Sequence, residues 1–106
     1  MNEDELAAGL AATPLYRYAD VVGSELFVAG QVPLDAEGDL VGVGDPAGQT
    51  TQCLDNLGTL VELRGFALTD IRHLTIYVVG EHQNLLDAWN AMTTWWGGEV
   101  PPATLL

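Results

Sequence analysis

Leu26-Phe27-Val28-Ala29-Gly30-Gln31-Val32-Pro33-Leu34-Asp35 is the stretch on which the reading of this chain turns. Its first half is an apolar run suited to a buried strand. The run then meets a glycine, which in a strand marks a bulge or a close approach by backbone or ligand. Pro33 lacks a backbone N–H, so the sheet ladder must stop or reach an edge there. Ala29-Gly30-Gln31-Val32-Pro33 is therefore expected to be a strand end with free backbone groups, suited to holding a small polar ligand.

Working outward, residues 16–22 read as a first strand, Gly23-Ser24 as a tight turn and residues 25–32 as the second strand of a β-hairpin. Asp35-Ala36-Glu37-Gly38-Asp39 has turn chemistry, and residues 40–43 form a short extended piece. Asp45-Pro46 has the N-cap and first-turn residues of a helix. Its apolar face carries Cys53, Leu54, Leu57, Leu60, Val61 and Leu63, and Gly65 ends it. The β-branched run 71–79 predicts a central strand. Residues 81–96 predict a second helix, with Leu85, Leu86, Trp89, Met92 and Trp96 inward and Trp95 off that face, at an interface or cleft edge. Gly97-Gly98 stops it, and residues 103–106 begin a further strand. The acidic, alanine-rich residues 1–13 read as a loose helical turn or a flexible arm. The order β-β-α-β-α-β predicts a single α+β domain over 1–106: a mixed sheet with two helices on one face.

Composition removes several functions. Fifteen acidic residues stand against three basic ones, a net charge of −12, and all three cations are arginines: Arg17, Arg64 and Arg72. Binding nucleic acid requires Lys and Arg to displace phosphate counterions, so no nucleic-acid partner is expected. Without lysine there is no Schiff-base chemistry on a lysine amine. The lone Cys53 sits in a helical pattern and reads as a buried structural thiol. His73 and His82 are nine positions apart on different predicted elements, so no metal site is expected. No apolar run reaches membrane-spanning length, and the acidic N-terminus is unlike a signal peptide; a cytoplasmic protein without a membrane partner is expected.

With the elements placed, the chain resembles the Rid/YjgF family of reactive-intermediate deaminases. The resemblance rests on Tyr16, the run 27–35 with Gly38, Gln49 with Cys53-Leu54-Asp55-Asn56-Leu57, Gly65 before Asp70-Ile71, Thr75-Ile76-Tyr77-Val78, and Pro102-Ala103. It implies a fold resembling that of chorismate mutase, a homotrimer whose sheets face inward, and small-molecule clefts at the subunit interfaces. It also implies no metal or organic cofactor. Family members include proteins named as ribonucleases or translation inhibitors. In active deaminases an arginine after the Pro-Ala pair grips the substrate carboxylate, and a glutamate on the last strand positions water to hydrolyse an enamine or imine. Three departures bear on activity. Thr104 stands at the arginine position, Ala29 stands where many members have serine, and the segment with the glutamate is absent from the 106 residues, so the C-terminal strand reads as truncated. The resemblance carries Tyr16, Ala29, Gly30, Gln31 and Thr104 over as cleft residues and assigns no catalytic residue.

Overall fold

The structure, a computed structural model, describes residues 2–106. Along the chain run α1 (Glu3–Ala7), β1 (Ala19–Val22), β2 (Glu25–Val28), α2 (Pro46–Leu63), a 3-10 turn (Leu68–Asp70), β3 (Leu74–Ile76), α3 (His82–Trp96) and β4 (Ala103–Leu105). The α+β class and the element order are as expected from the sequence.

Local signals set the helix ends. The Asp45 carboxylate accepts the Gly48 N–H at 3.1 Å, and Pro46 occupies the first turn, where its missing N–H costs nothing. Past the other end, Gly65 takes φ +80°, a conformation a Cβ would penalise. Helix α3 ends on Gly97 in the left-handed region, where the chain turns toward β4.

The strands are shorter than the apolar runs suggested, and the mixed sheet divides into two pairs. Strands β1 and β2 pair antiparallel; β3 and β4 pair parallel, with Thr75 opposite Thr104. The second strand stops at Val28, four residues before the sequence-based limit, because after one more bond, from Ala29 to Tyr18, its continuation is held by side chains of α2 and by a short bridge between Leu34 and Leu40. Asn56 on α2 donates its amide to the Leu34 carbonyl at 3.0 Å and to that of Val32 at 3.4 Å, and the Cys53 thiol lies 3.6 Å from the Gln31 carbonyl. The run 71–79 has strand geometry only beside the short β4, although single bonds from Leu74 to Pro102 and from Val78 to Leu106 extend the pairing slightly.

Both helices lie against the same side of the strands. Leu54, Leu57, Val61 and Met92 are buried between them, and Leu26, Leu74, Ile76 and Leu105 pack onto this cluster from β2, β3 and β4. A second cluster joins Leu60 to Leu10 and Tyr18. The inward face of α3 is rotated from the expected one: Ala88 and Met92 are buried, whereas Leu86 and Trp89 are exposed. Trp95, expected off the face, packs on the core, and its indole N–H donates to Asp55 on α2 at 2.8 Å. Trp95 is half-buried, and Asp55 supplies its N–H with an acceptor across the helix pair.

The N-terminal segment, read from sequence as a loose turn or arm, is docked wherever it is described; Met1 lies outside the described residues. Leu10 and Ala11 are buried, Asn2 donates to the Ala11 carbonyl at 3.1 Å, and Arg64 at the end of α2 pairs with Asp4 at 2.7 Å and Glu5 at 2.5 Å. No helix among the described residues is long and apolar enough to cross a membrane.

Candidate functional site

The strand end expected to form one wall is held rigidly by its own side chains and by α2. The Ala29 N–H donates to the Tyr18 carbonyl at 2.8 Å, continuing the hairpin one bond past β2. Gln31 folds back so that its amide donates to the Ala29 carbonyl at 3.0 Å. Gly30, between them, is exposed, and an added Cβ there would meet nothing within 4 Å. The backbone is therefore open at Gly30 and fixed on both sides of it.

Asn56 is the main fastening. It is buried, it donates to two carbonyls of the 32–34 turn, and it accepts from Gln52 at 2.9 Å. Asn56→Ala leaves both carbonyls without this donor and is expected to cost about 1.5 kcal/mol in equilibrium urea unfolding. Amide exchange should rise first at residues 31–34, and a loss below about 0.5 kcal/mol would mean that water replaces the amide freely.

Tyr16 lies just before β1, half exposed, with its ring edge-on to Tyr18 at 6.2 Å. Burial, then the neighbouring Tyr16, raises the Tyr18 phenol above its ordinary value. Tyr16, Arg17, Tyr18 and Arg64 border an open depression of about 550 Å³ that Asp4 and Glu5 close on the opposite side. Gly30, Gln31 and Thr104 are not among its walls. Burial pushes the Cys53 thiol up, away from the thiolate form a nucleophile needs.

Thr104 is on β4, in the other strand pair. Alternation along β3 and β4 turns Leu74, Ile76 and Leu105 toward the helices and Thr75 and Thr104 away. On that outward face the Thr104 hydroxyl lies 3.2 Å from His73 Nε2. The sequence reading weighed His73 only as a metal ligand and missed this pairing. Only the parallel register of β3 and β4 reveals it, since the two residues are 31 positions apart. The structure thus joins Tyr16, Ala29, Gly30 and Gln31 through the hairpin, and leaves Thr104 with His73 on a separate surface.

A family model described as endoribonuclease L-PSP matches residues 7–106. The chain belongs to this family, the Rid/YjgF family. Among its relatives, a RutC family protein of Sulfurisphaera tokodaii is 32% identical over 88 residues, covering 83% of this chain and 69% of the relative. A RutC family protein of Pyrococcus horikoshii is 32% identical over 95 residues, covering 88% and 74%. Among solved structures, a Thermotoga maritima protein bearing the endoribonuclease name superposes with a TM-score of 0.77 at 30% identity, over 89% of this chain and 73% of that one. A Rid-family protein of unknown function from Yersinia pestis gives 0.80 at 24% identity, over 91% and 76%, and speaks to the fold alone.

Proposed function

We propose that the chain is one subunit of a cytoplasmic homotrimer that binds a small metabolite, without metal or organic cofactor, in clefts formed where subunits meet. The observation that carries this reading is the separation of the two half-sites. Tyr16 precedes the hairpin and Ala29, Gly30 and Gln31 follow it, whereas Thr104 belongs to the β3–β4 pair, and the depression that Tyr16 borders is walled by none of Gly30, Gln31 and Thr104. Both surfaces lie beside exposed apolar side chains, Phe27 and Val28 on β2 and Tyr77 just after β3. Large exposed apolar groups on the outer sides of strands suit burial by further copies of the chain. Contact between subunits would bring the hairpin half-site of one to the Thr104 half-site of another.

Within this reading, hydrolysis of an amino-acid-derived imine to carbonyl and ammonia lacks its substrate anchor. Arginine grips a carboxylate with two charge-assisted bonds, whereas Thr104 offers one neutral hydroxyl. Arg17 and Arg64 are engaged by Asp20 and by Asp4 with Glu5. The second reading, a non-catalytic metabolite-binding or regulatory trimer, is favoured by this same loss of the anchor. The endoribonuclease name of the family suggests an RNA substrate, but a chain of net charge −12 with two of its three arginines paired to carboxylates is a poor polyanion surface.

Sedimentation equilibrium tests the assembly, with a three-subunit mass expected; a monomer across the working concentration range would remove the clefts. Ammonia release from freshly generated imines, with and without a carboxylate, separates the two readings: release only without the carboxylate identifies an enzyme, and thermal stabilisation without turnover identifies a binder. Retention on RNA or heparin at low salt would overturn the exclusion of nucleic acid.

A further inference from the structure

The depression of about 550 Å³ that Tyr16 borders is also lined by a buried polar side chain that the fold leaves without a partner. Thr13 is 8% exposed, and its hydroxyl forms no hydrogen bond among the described residues. A buried hydroxyl left so costs free energy, which a polar group seated in the depression would return, directly or through one water. Beside it stands further unused capacity. A guanidinium has five N–H donors, and Arg64 spends one on Asp4 and one on Glu5. Asp4 accepts from Arg64 and from the Glu5 N–H, yet its side chain is more than half exposed. Burial holds the Tyr18 phenol in its protonated, donating form, and Tyr16 places a half-exposed ring at the rim.

Charge narrows the ligand. The lining sets Arg17 and Arg64 against Asp4 and Glu5, and each of the four already has an ion-pair partner. A free carboxylate or ammonium would have to displace one of those partners. A hydroxyl group instead accepts from a spare N–H and donates to a carboxylate at the same time, leaving the pairs intact. Two neighbouring hydroxyls on one ring do this twice over, and the C–H face of the ring suits the apolar body of Tyr16. We infer that this depression is a binding site for a small uncharged polyol, a sugar ring with vicinal hydroxyls, recognised by Thr13 and the Arg64–Asp4 pair. The wall made by Asn2, Asp4 and Glu5 precedes residue 7, where the match to the family model begins, and every group named lies in one subunit. The site is therefore independent of the cleft between subunits.

The test uses the full chain and three probes that share one ring and differ in charge: D-glucose, D-glucosamine and D-glucuronate. In NMR titrations at fixed ionic strength, glucose is expected to move the amide signals of Thr13 and Tyr18 and the Arg64 Nε–H, and to leave Thr75 and Thr104 in place. It should bind about fivefold more tightly than either charged probe. Thr13→Val removes a hydroxyl that has no partner in the free chain, so its urea midpoint should be unchanged or raised while glucose binds about fivefold more weakly. Thr13→Ser should retain binding, and it decides the role of the hydroxyl together with the wild-type titration should the valine variant not fold. Glucosamine bound more tightly than glucose would overturn the assignment, since attraction to an acidic surface would then explain the affinity. A lowered urea midpoint in Thr13→Val with unchanged glucose binding would overturn it too, because the hydroxyl would then serve an internal water alone. No shift at about 100 mM glucose in a protein that sediments as a trimer would remove this site and leave the cleft reading standing; the shifts in a monomer would do the reverse.

Discussion

Arg64→Met is expected to lower the unfolding free energy by about 2–3 kcal/mol, because it strands a carboxylate in the interior. The Glu5 side chain is only 5% exposed, and its partner is the guanidinium at the end of α2. Methionine keeps the aliphatic stem, so the loss reports the ion pair and not the packing. Removing one member of a fully buried pair costs roughly 3–5 kcal/mol. The figure here is set lower because a quarter of the Arg64 side chain remains in water, where screening and hydration return part of the energy. Glu5→Met combined with Arg64→Met should recover most of the loss, since the desolvation cost disappears with both charges. Urea unfolding of the two single variants and the double variant measures the coupling; additive losses would show that the segment is not docked through this pair. Acid adds a second signature. The hydrogen bond from Arg64, opposed by some desolvation, holds the Asp4 carboxyl below its ordinary 3.8. A depressed carboxyl contributes stability that is present above its unfolded value and lost as pH falls through the folded one. The wild-type chain should therefore lose this contribution below about pH 4, and Arg64→Met should show a shallower acid dependence in that window.

That prediction concerns a feature no local pattern in the sequence announces. Arg64 and its two carboxylates are 59 and 60 positions apart, and nothing in an acidic, alanine-rich start distinguishes a docked segment from a free one. What was legible was short-range. Asp45 before Pro46 and Gly65 after Leu63 bound α2 because caps and positive φ are decided by neighbouring residues. The strand limits were not legible, because an apolar run shows where a strand is possible and not where its partner ends. Past Ala29 the carbonyls of Val32 and Leu34 are taken by Asn56, a helix side chain, and the choice between ladder and helix is a tertiary one. Trp95, expected at an interface or cleft edge, does line a depression between α2 and α3, but it also packs on the core. Helical periodicity alone leaves the rotation of a stripe uncertain, and an indole can pack partly on the core while its N–H reaches an acceptor such as Asp55 at the surface.

The candidate site divides along the same line. The Gly30 opening is legible because glycine and proline punctuate a strand by their own geometry. The His73–Thr104 contact depends on the register of two parallel strands joined through α3, and residue spacing does not encode it. A threonine at the position the family resemblance gives to an arginine reads in sequence as a loss. In the structure the same threonine is half of a polar pair.

Leu60→Ala should have the largest effect of any single truncation here, about 3 kcal/mol in urea unfolding. Leu60 is 0% exposed, and it is the residue of α2 against which Leu10 and Tyr18 pack. The cost has two parts: the transfer free energy of the lost methyl groups, and the unfilled space left if the neighbours do not collapse into it. Leu63, one turn on and 37% exposed, is the control; its truncation should cost under about 1 kcal/mol. The two parts can be separated through the docked segment. Leu10→Ala removes the neighbour from the other side, so a double variant should lose less than the sum of the single losses if Leu10 and Leu60 share one void. The same cavity lies under Tyr18, whose backbone carbonyl accepts from Ala29 and whose ring meets Tyr16 edge-on. Leu60→Ala should therefore loosen the hairpin wall as well as the core, raising amide exchange at Ala29 while leaving the β3–β4 pair protected. Equal loss of protection in both strand pairs would mean that the molecule opens as one unit, and that the hairpin and the β3–β4 pair are coupled through the core.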